Sequence, residues 1–133
     1  MSKNNIILIA DHRKEERERL ASMILQCGES VLAARNAKQV RFWADSVEPD
    51  IAFIKLLFCE ESSLRLIKEL KAQHPKVRII TLAPDRQDPL VDIAARVGAC
   101  CHLQEPYEFM DIKAILLYAQ EEKSTLTPAL EIV

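Results

Sequence analysis

The side chain with the clearest chemical potential is Lys55, which ends the apolar run Ile51–Lys55. This run has no polar alternation and follows the turn signal Pro49-Asp50, a pattern typical of a strand buried on both faces of a parallel sheet. A lysine at its end would place an ammonium at the carboxyl end of a central strand, where open α/β sheets bind ligands. The alternative is a lysine whose stem covers apolar surface while its charged end reaches water.

The chain has four cysteines without any CxxC spacing: Cys27, Cys59, Cys100 and Cys101. In a reducing compartment they are most simply thiols that act as small apolar residues. The sequence Cys100-Cys101-His102 suggests metal binding. However, neighbouring residues on a strand point to opposite faces and cannot easily hold one ion together, so we predict no metal site.

The composition indicates one soluble domain. The 133 residues are 49% hydrophobic and 29% charged, and they suffice to bury a core. A net charge of −2 gives no general attraction to nucleic acid or anionic membrane. The sequence has neither a basic stripe nor a helix-turn-helix pattern, so we expect no direct DNA binding. No apolar run is long enough for a membrane span or a signal peptide, so the predicted location is the cytoplasm.

Five strand patterns alternate with five helix patterns along the chain. The strands are predicted at residues 6–10, 30–34, 51–55, 77–82 and 100–103, and residues 60–63 read as a loop with a helix cap. Such alternation predicts a parallel sheet with helices on both faces and right-handed crossovers. We expect one domain at residues 1–122, with residues 123–133 forming a tail or the start of a linker.

Four segments together resemble the receiver domain of bacterial two-component response regulators. They are Ile6-Ile7-Leu8-Ile9-Ala10-Asp11, Pro49-Asp50-Ile51-Ala52-Phe53-Ile54-Lys55, Ile79-Ile80-Thr81-Leu82-Ala83, and Gly98-Ala99 through Glu105-Pro106-Tyr107. The similarity covers about residues 5–121. It implies a flavodoxin-like three-layer α-β-α sandwich with a five-stranded parallel sheet in the strand order 2-1-3-4-5.

The residues at the receiver's functional positions depart from the family pattern. Receivers carry an acidic pair, a phosphate-accepting aspartate, a hydroxyl and a lysine; the corresponding residues here are Ala10 and Asp11, Lys55, Ala83 and Glu105. An amine cannot form an acyl phosphate, and its charge opposes magnesium, which requires several oxygen ligands. The resemblance therefore implies a degenerate phosphoacceptor pocket without metal or cofactor. Asp50 precedes its strand and should lie at the opposite end of the sheet.

The leading functional hypothesis is a pseudo-receiver that acts in signalling through protein contacts, independently of phosphorylation and without enzymatic activity. By resemblance, the interaction face involves the fourth helix, fifth strand and fifth helix. Its candidate residues are Leu90, Val91, Ala94, His102, Tyr107 and Tyr118. The expected partner is a signalling protein, such as a histidine kinase or an output domain, or a second copy of the chain. His102 could sense pH or could be an ordinary half-buried, hydrogen-bonded histidine.

Two other functions remain open. The chain could be an enzyme in which Lys55 is an amine nucleophile and Glu105 or Asp11 is the base. It could also be the regulatory N-terminal domain of a longer transcription factor or kinase.

The exchange of charges at positions 55 and 105 predicts a reversed ion pair. Lys55 and Glu105 should project into the same cleft at the carboxyl edge of the sheet, with Asp11 as a second anionic partner of Lys55. At a cleft rim, we expect the pair's energy to lie closer to that of an exposed pair than to that of a buried one.

Overall fold

A five-stranded parallel sheet forms the centre of the computed structural model, which describes residues 5–58 and 61–124. The sheet strands are β1 (Ile6–Ala10), β2 (Ser30–Ala34), β3 (Ile51–Lys55), β6 (Arg78–Ala83) and β7 (Ala99–Gln104). They lie in the order β2-β1-β3-β6-β7. This is the predicted order 2-1-3-4-5 once the short antiparallel hairpin of β4 (Leu57–Phe58) and β5 (Glu61–Ser62) is set aside.

Five helices cover the two faces of the sheet. They are α1 (Lys14–Gln26), α2 (Ala37–Val47), α3 (Leu64–Gln73), α4 (Pro89–Val97) and α5 (Phe109–Ser124). Alternate residues of the buried strands face opposite layers: Ala52 and Ile54 pack with α2, α3 and α4, whereas Ile51 and Phe53 pack with α1 and α5. The predicted three-layer sandwich is thereby confirmed.

Side-chain caps begin two of these helices. Asn36 Oδ1 accepts a hydrogen bond from Gln39 N at 2.9 Å, as the sequence predicts for α2. Asp88 Oδ1 accepts one from Leu90 N at 2.9 Å at the start of α4. Gly98 ends α4 with a φ of +136°, a conformation that side chains rarely adopt.

The loop predicted at residues 60–63 is partly wrong. Glu61 and Ser62 form β5, which pairs with β4 in an antiparallel hairpin. Ser63 does not cap α3 with its side chain; its buried Oγ donates a hydrogen bond to the carbonyl oxygen of Lys55 instead. This contact joins the start of α3 to the end of the central strand.

Strand and helix ends differ slightly from the prediction elsewhere. β6 lies at residues 78–83 rather than 77–82, and β7 extends the predicted strand by one residue at each end. α5 continues through Ser124, past the predicted domain boundary at residue 122. Residues 125–133 of the predicted tail, and Cys59, lie outside the described residues. Over the described ranges, no helix is both long and apolar enough to cross a membrane.

Candidate functional site

The predicted pocket residues meet at the carboxyl edge of the sheet. Asp11 follows β1, Lys55 ends β3, Ala83 ends β6 and Glu105 follows β7. Parallel strands bring these ends to one edge, and Glu105 N donates a hydrogen bond to Ala83 O at 2.9 Å. Ala10 and Ala83 are buried and contribute only methyl groups.

Lys55 and Glu105 form the expected reversed ion pair, in which Lys55 Nζ donates to Glu105 Oε1. Each side chain is only 10% exposed. The pair is therefore more enclosed than the cleft-rim position expected from the sequence. The energetic limit that applies is the one for buried pairs, in which removal of one partner is costly.

Arg13 is the site residue that the sequence reading missed. Its Nη2 contacts Glu105 Oε2 at 2.6 Å and Asp11 Oδ2 at 2.8 Å, while its Nε donates to Asp11 Oδ1 at 3.0 Å. The guanidinium fork suits this bidentate contact with a carboxylate. The signal in the sequence is an aspartate two positions before Arg13, because aspartate side chains often accept from the backbone two residues on. The structure shows this contact: Asp11 Oδ1 accepts from Arg13 N at 3.0 Å.

Asp11 is therefore not the second partner predicted for Lys55. Among the described residues it forms no ion pair with Lys55 and is linked to it only through Arg13 and Glu105. The result is a charge chain of Asp11, Arg13, Glu105 and Lys55 that joins the ends of β1, β3 and β7. The hydrogen bonds that Arg13 donates to Asp11 raise the pKa of Arg13 above its ordinary value, so this member of the chain stays charged.

The donor set at this edge does not fit the magnesium ion that a receiver-like pocket implies. Both oxygens of Asp11 accept from Arg13, and the two oxygens of Glu105 accept from Lys55 and Arg13. Two cations therefore occupy the only carboxylates of the charge chain, whereas magnesium requires several oxygen ligands. Over residues 5–58 and 61–124, no cluster of three or more metal-ligating side chains occurs.

Asp50 lies at the other end of the sheet, as predicted. Its Oδ2 accepts a hydrogen bond from Ile6 N at 2.8 Å, at the amino end of β1. Asp11 follows the carboxyl end of the same strand. Asp50 is therefore a strand-end cap, separated from the charge chain by the length of β1.

Two members of the predicted interaction face are in the core. Ala94, a residue of α4, is fully buried, and Tyr107 is 1% exposed, with the Arg19 guanidinium 5.3 Å from its ring centroid. Ala94 lies on the side of α4 that packs against the sheet, and Tyr107 lies in the turn after β7, so neither is available for contacts at the surface. Leu90, Val91, His102 and Tyr118 are half-buried. The large apolar side chains exposed in this region are Ile93, Met110 and Leu117, which lie within the stretches 90–97 and 107–118 from which the sequence draws this face.

His102 is half-buried on β7 and hydrogen-bonded to the neighbouring strand. Its Nδ1 lies 2.9 Å from Thr81 Oγ1, and Nε2 is buried without a hydrogen-bond partner among the described residues. Burial lowers the pKa of His102 below its ordinary value of 6.5, and the positive charge of Arg86 lowers it further. The neutral ring is therefore the form that the fold favours.

The pH dependence of stability should reflect this lowered pKa. The unfolded chain binds a proton at His102 at higher pH than the native state does, so stability is lost as the pH falls below about 6.5. We expect His102→Gln to lose less stability than the parent protein between pH 7.5 and pH 5, as measured by urea unfolding. His12→Gln is the control, and an equal acid loss in the parent and His102→Gln would contradict the prediction.

Comparisons with known proteins identify the fold. No protein-family model matches the chain, and a comparison with curated proteins found no match. A two-component response regulator from Clostridium difficile superposes with a TM-score of 0.85 at 18% identity, covering 92% of this chain and all of that one. NtrX from Brucella abortus gives a TM-score of 0.86 at 19% identity, with 92% of this chain matching 28% of that chain.

A third solved structure contains a phosphorylated aspartic acid. A Burkholderia pseudomallei response regulator, solved with a phosphorylated aspartic acid, a calcium ion and citrate, has a TM-score of 0.78 at 24% identity over 92% of this chain and 72% of that one. The chain therefore has the fold of a response regulator receiver domain. Its charge chain, in contrast, contains a lysine where the resemblance places the phosphate-accepting aspartate.

Proposed function

We propose that this receiver-fold domain is a pseudo-receiver that acts through protein contacts and does not accept phosphate at position 55. The observation that carries the proposal is the buried pair of Lys55 with Glu105. An ammonium in place of a carboxylate cannot form an acyl phosphate. Its charge, together with that of Arg13, also opposes the divalent cation that phosphoryl transfer to a receiver requires.

The charge chain provides a fixed substitute for a switchable phosphate. Two acids and two bases balance one another, and they connect the ends of three strands through short contacts. A network that satisfies its own charges favours one arrangement, because any other would separate a buried charge from its partner. The surface above this edge would then be held in one state.

The amine-nucleophile alternative receives little support from this geometry. A nucleophilic lysine must be neutral and reachable by a carbonyl substrate. Here the Lys55 side chain is 10% exposed, and its ammonium donates to a carboxylate that also accepts from Arg13. The two carboxylates of the charge chain, Asp11 and Glu105, are both in ion pairs, so either would have to leave its pair before it could accept a proton from Lys55.

A role within a longer regulator is the second candidate for the biological context. The match to NtrX, which extends over 28% of that longer chain, supports it. In this context the partner would be an output domain or a histidine kinase that contacts the face of α4, β7 and α5. The cytoplasm remains the predicted location.

Phosphodonor treatment tests the central claim. With acetyl phosphate and Mg²⁺, we expect the intact mass of the protein to remain unchanged, because neither the acceptor oxygen nor the metal ligands are present. A response regulator with a complete acidic site, treated in parallel, controls for the reagent. A single added phosphoryl group that maps to Asp11 or another pocket residue would refute the pseudo-receiver proposal.

Self-association should be weak and independent of phosphodonor and metal. If the face of α4, β7 and α5 makes contacts between copies, Ile93→Lys should weaken them while changing stability by less than about 0.5 kcal/mol. Light scattering measures the mass, and Leu25→Lys on α1, which is exposed and outside this face, is the matched control. A dimer that forms only with magnesium or phosphodonor would contradict the prediction.

A further inference from the structure

Strand β7 contains an irregularity at two adjacent cysteines. Ile79 pairs with Ala99, but the next residue of β6, Ile80, pairs with Cys101, so Cys100 is an extra residue without a counterpart in the ladder. Bulges of this kind re-aim a side chain and are rare between parallel strands. β7 also lies at the edge of the sheet, with β6 as its one neighbour in the described sheet.

The bulge brings the two thiols together. Cys100 Sγ lies 3.6 Å from Cys101 Sγ, whereas neighbouring side chains on a regular strand would point to opposite faces. The expectation that these two neighbouring side chains point to opposite faces is therefore wrong, although the prediction of no metal site is not contradicted. Two sulfur atoms at van der Waals contact form a vicinal dithiol, in which either sulfur can attack an oxidised form of the other.

The surroundings of the pair allow small reagents to reach it. Both cysteines are half-buried thiols, and they line a cavity of about 70 Å³ between α4 and β7 together with Thr81, Val91 and His102. Among the residues that the structure describes, no group of three or more His, Cys, Asp or Glu side chains is placed to hold a metal ion.

We propose that Cys100 and Cys101 form a redox-active modification site that a hydroperoxide converts into an intramolecular disulfide. One thiolate attacks the terminal peroxide oxygen, the O–O bond breaks, and the products are a sulfenic acid and an alcohol or water. The second thiol then attacks the sulfenic sulfur, the S–S bond forms, and water leaves. The pair loses two electrons, and these reduce the peroxide.

The geometry makes this disulfide easy to reverse. Adjacent Cα atoms are about 3.8 Å apart across a trans peptide, which is shorter than the roughly 4.4–6.8 Å of ordinary disulfides. A ring closed across this distance is strained, and strained disulfides are readily reduced by thiols. The site borders His102 and α4, so oxidation would alter the face of α4, β7 and α5. The inference does not depend on the pseudo-receiver proposal.

The test uses the full chain with Cys27→Ala and Cys59→Ala, which leaves only the pair. Hydrogen peroxide should remove two hydrogens from the intact mass and leave no thiol that iodoacetamide can alkylate, and dithiothreitol should restore both thiols. Adding Cys100→Ser or Cys101→Ser should abolish the two-hydrogen loss. Circular dichroism confirms that each variant is folded. A product with added oxygens, or cross-linked chains, or no change would overturn the proposal.

A second measurement tests the pairing without oxidation. Phenylarsine oxide bridges two close thiols and releases one water, so it should bind the pair roughly 100-fold or more tightly than it binds either single-cysteine variant, because the second bond is intramolecular. A variant with Cys59→Ala, Cys100→Ser and Cys101→Ser retains Cys27 alone and provides the matched lone thiol. Cys27 lines a separate cavity between α1 and α5. Equal affinities would show that the two sulfurs do not act together and would overturn the proposal.

Discussion

Reversing the charge at position 105 with Glu105→Lys is expected to destabilise the domain by roughly 5 kcal/mol or more. The substitution removes the carboxylate shared by Lys55 and Arg13, and loss of a partner from a buried pair costs about 3–5 kcal/mol. It also brings three cations together, and like charges about 4 Å apart repel by roughly 4 kcal/mol at an effective dielectric constant of about 20. The total is comparable to the whole stability of a typical domain, about 5–15 kcal/mol.

The charge-swapped double variant distinguishes electrostatics from simple misfit. Combining Lys55→Glu with Glu105→Lys restores opposite charges at the two positions, while Arg13 keeps its contact with Asp11. We expect the double variant to regain much of the stability that Glu105→Lys loses, as measured by chemical denaturation. If the double variant is no more stable than Glu105→Lys alone, the Coulombic explanation of the pair is wrong.

Neutralising the pair one side at a time should produce unequal losses. Glu105→Gln leaves the enclosed Lys55 ammonium without its carboxylate among the described residues and should cost about 3–5 kcal/mol. Lys55→Met should cost less, because Glu105 retains Arg13 at 2.6 Å. Combining the two should recover stability, since an enclosed pair is often replaced by uncharged groups at little net cost.

A double-mutant cycle of Lys55→Met and Glu105→Gln measures the coupling between the two groups. The exposed pair of Arg41 and Glu69, at 2.8 Å with side chains 48% and 39% exposed, is the matched control, and its coupling should be about 0–1 kcal/mol. A coupling between Lys55 and Glu105 no larger than that of the control would remove the proposed role of the charge chain.

The order of the elements and the position of the charged edge follow from the sequence alone. Continuous apolar runs such as Ile51–Lys55 indicate strands buried on both faces, and alternation with helical patterns requires a parallel sheet. Once the strands are parallel, the residues that end them must share one edge. The meeting of Lys55 with Glu105 could therefore be predicted from two positions 50 residues apart.

Only the tertiary structure decided how the side chains at that edge are shared. The guanidinium of Arg13, at the start of α1, donates to both oxygens of Asp11. This contact depends on the side-chain rotamers and on the distances between charged groups in the folded chain. The burial of the Lys55–Glu105 pair, and of Ala94 and Tyr107, likewise depends on how closely neighbouring layers pack. The bulge at Cys100 arises from a shift in the pairing of β6 with β7. The alternation of side chains within one strand does not predict how that strand pairs with its neighbour.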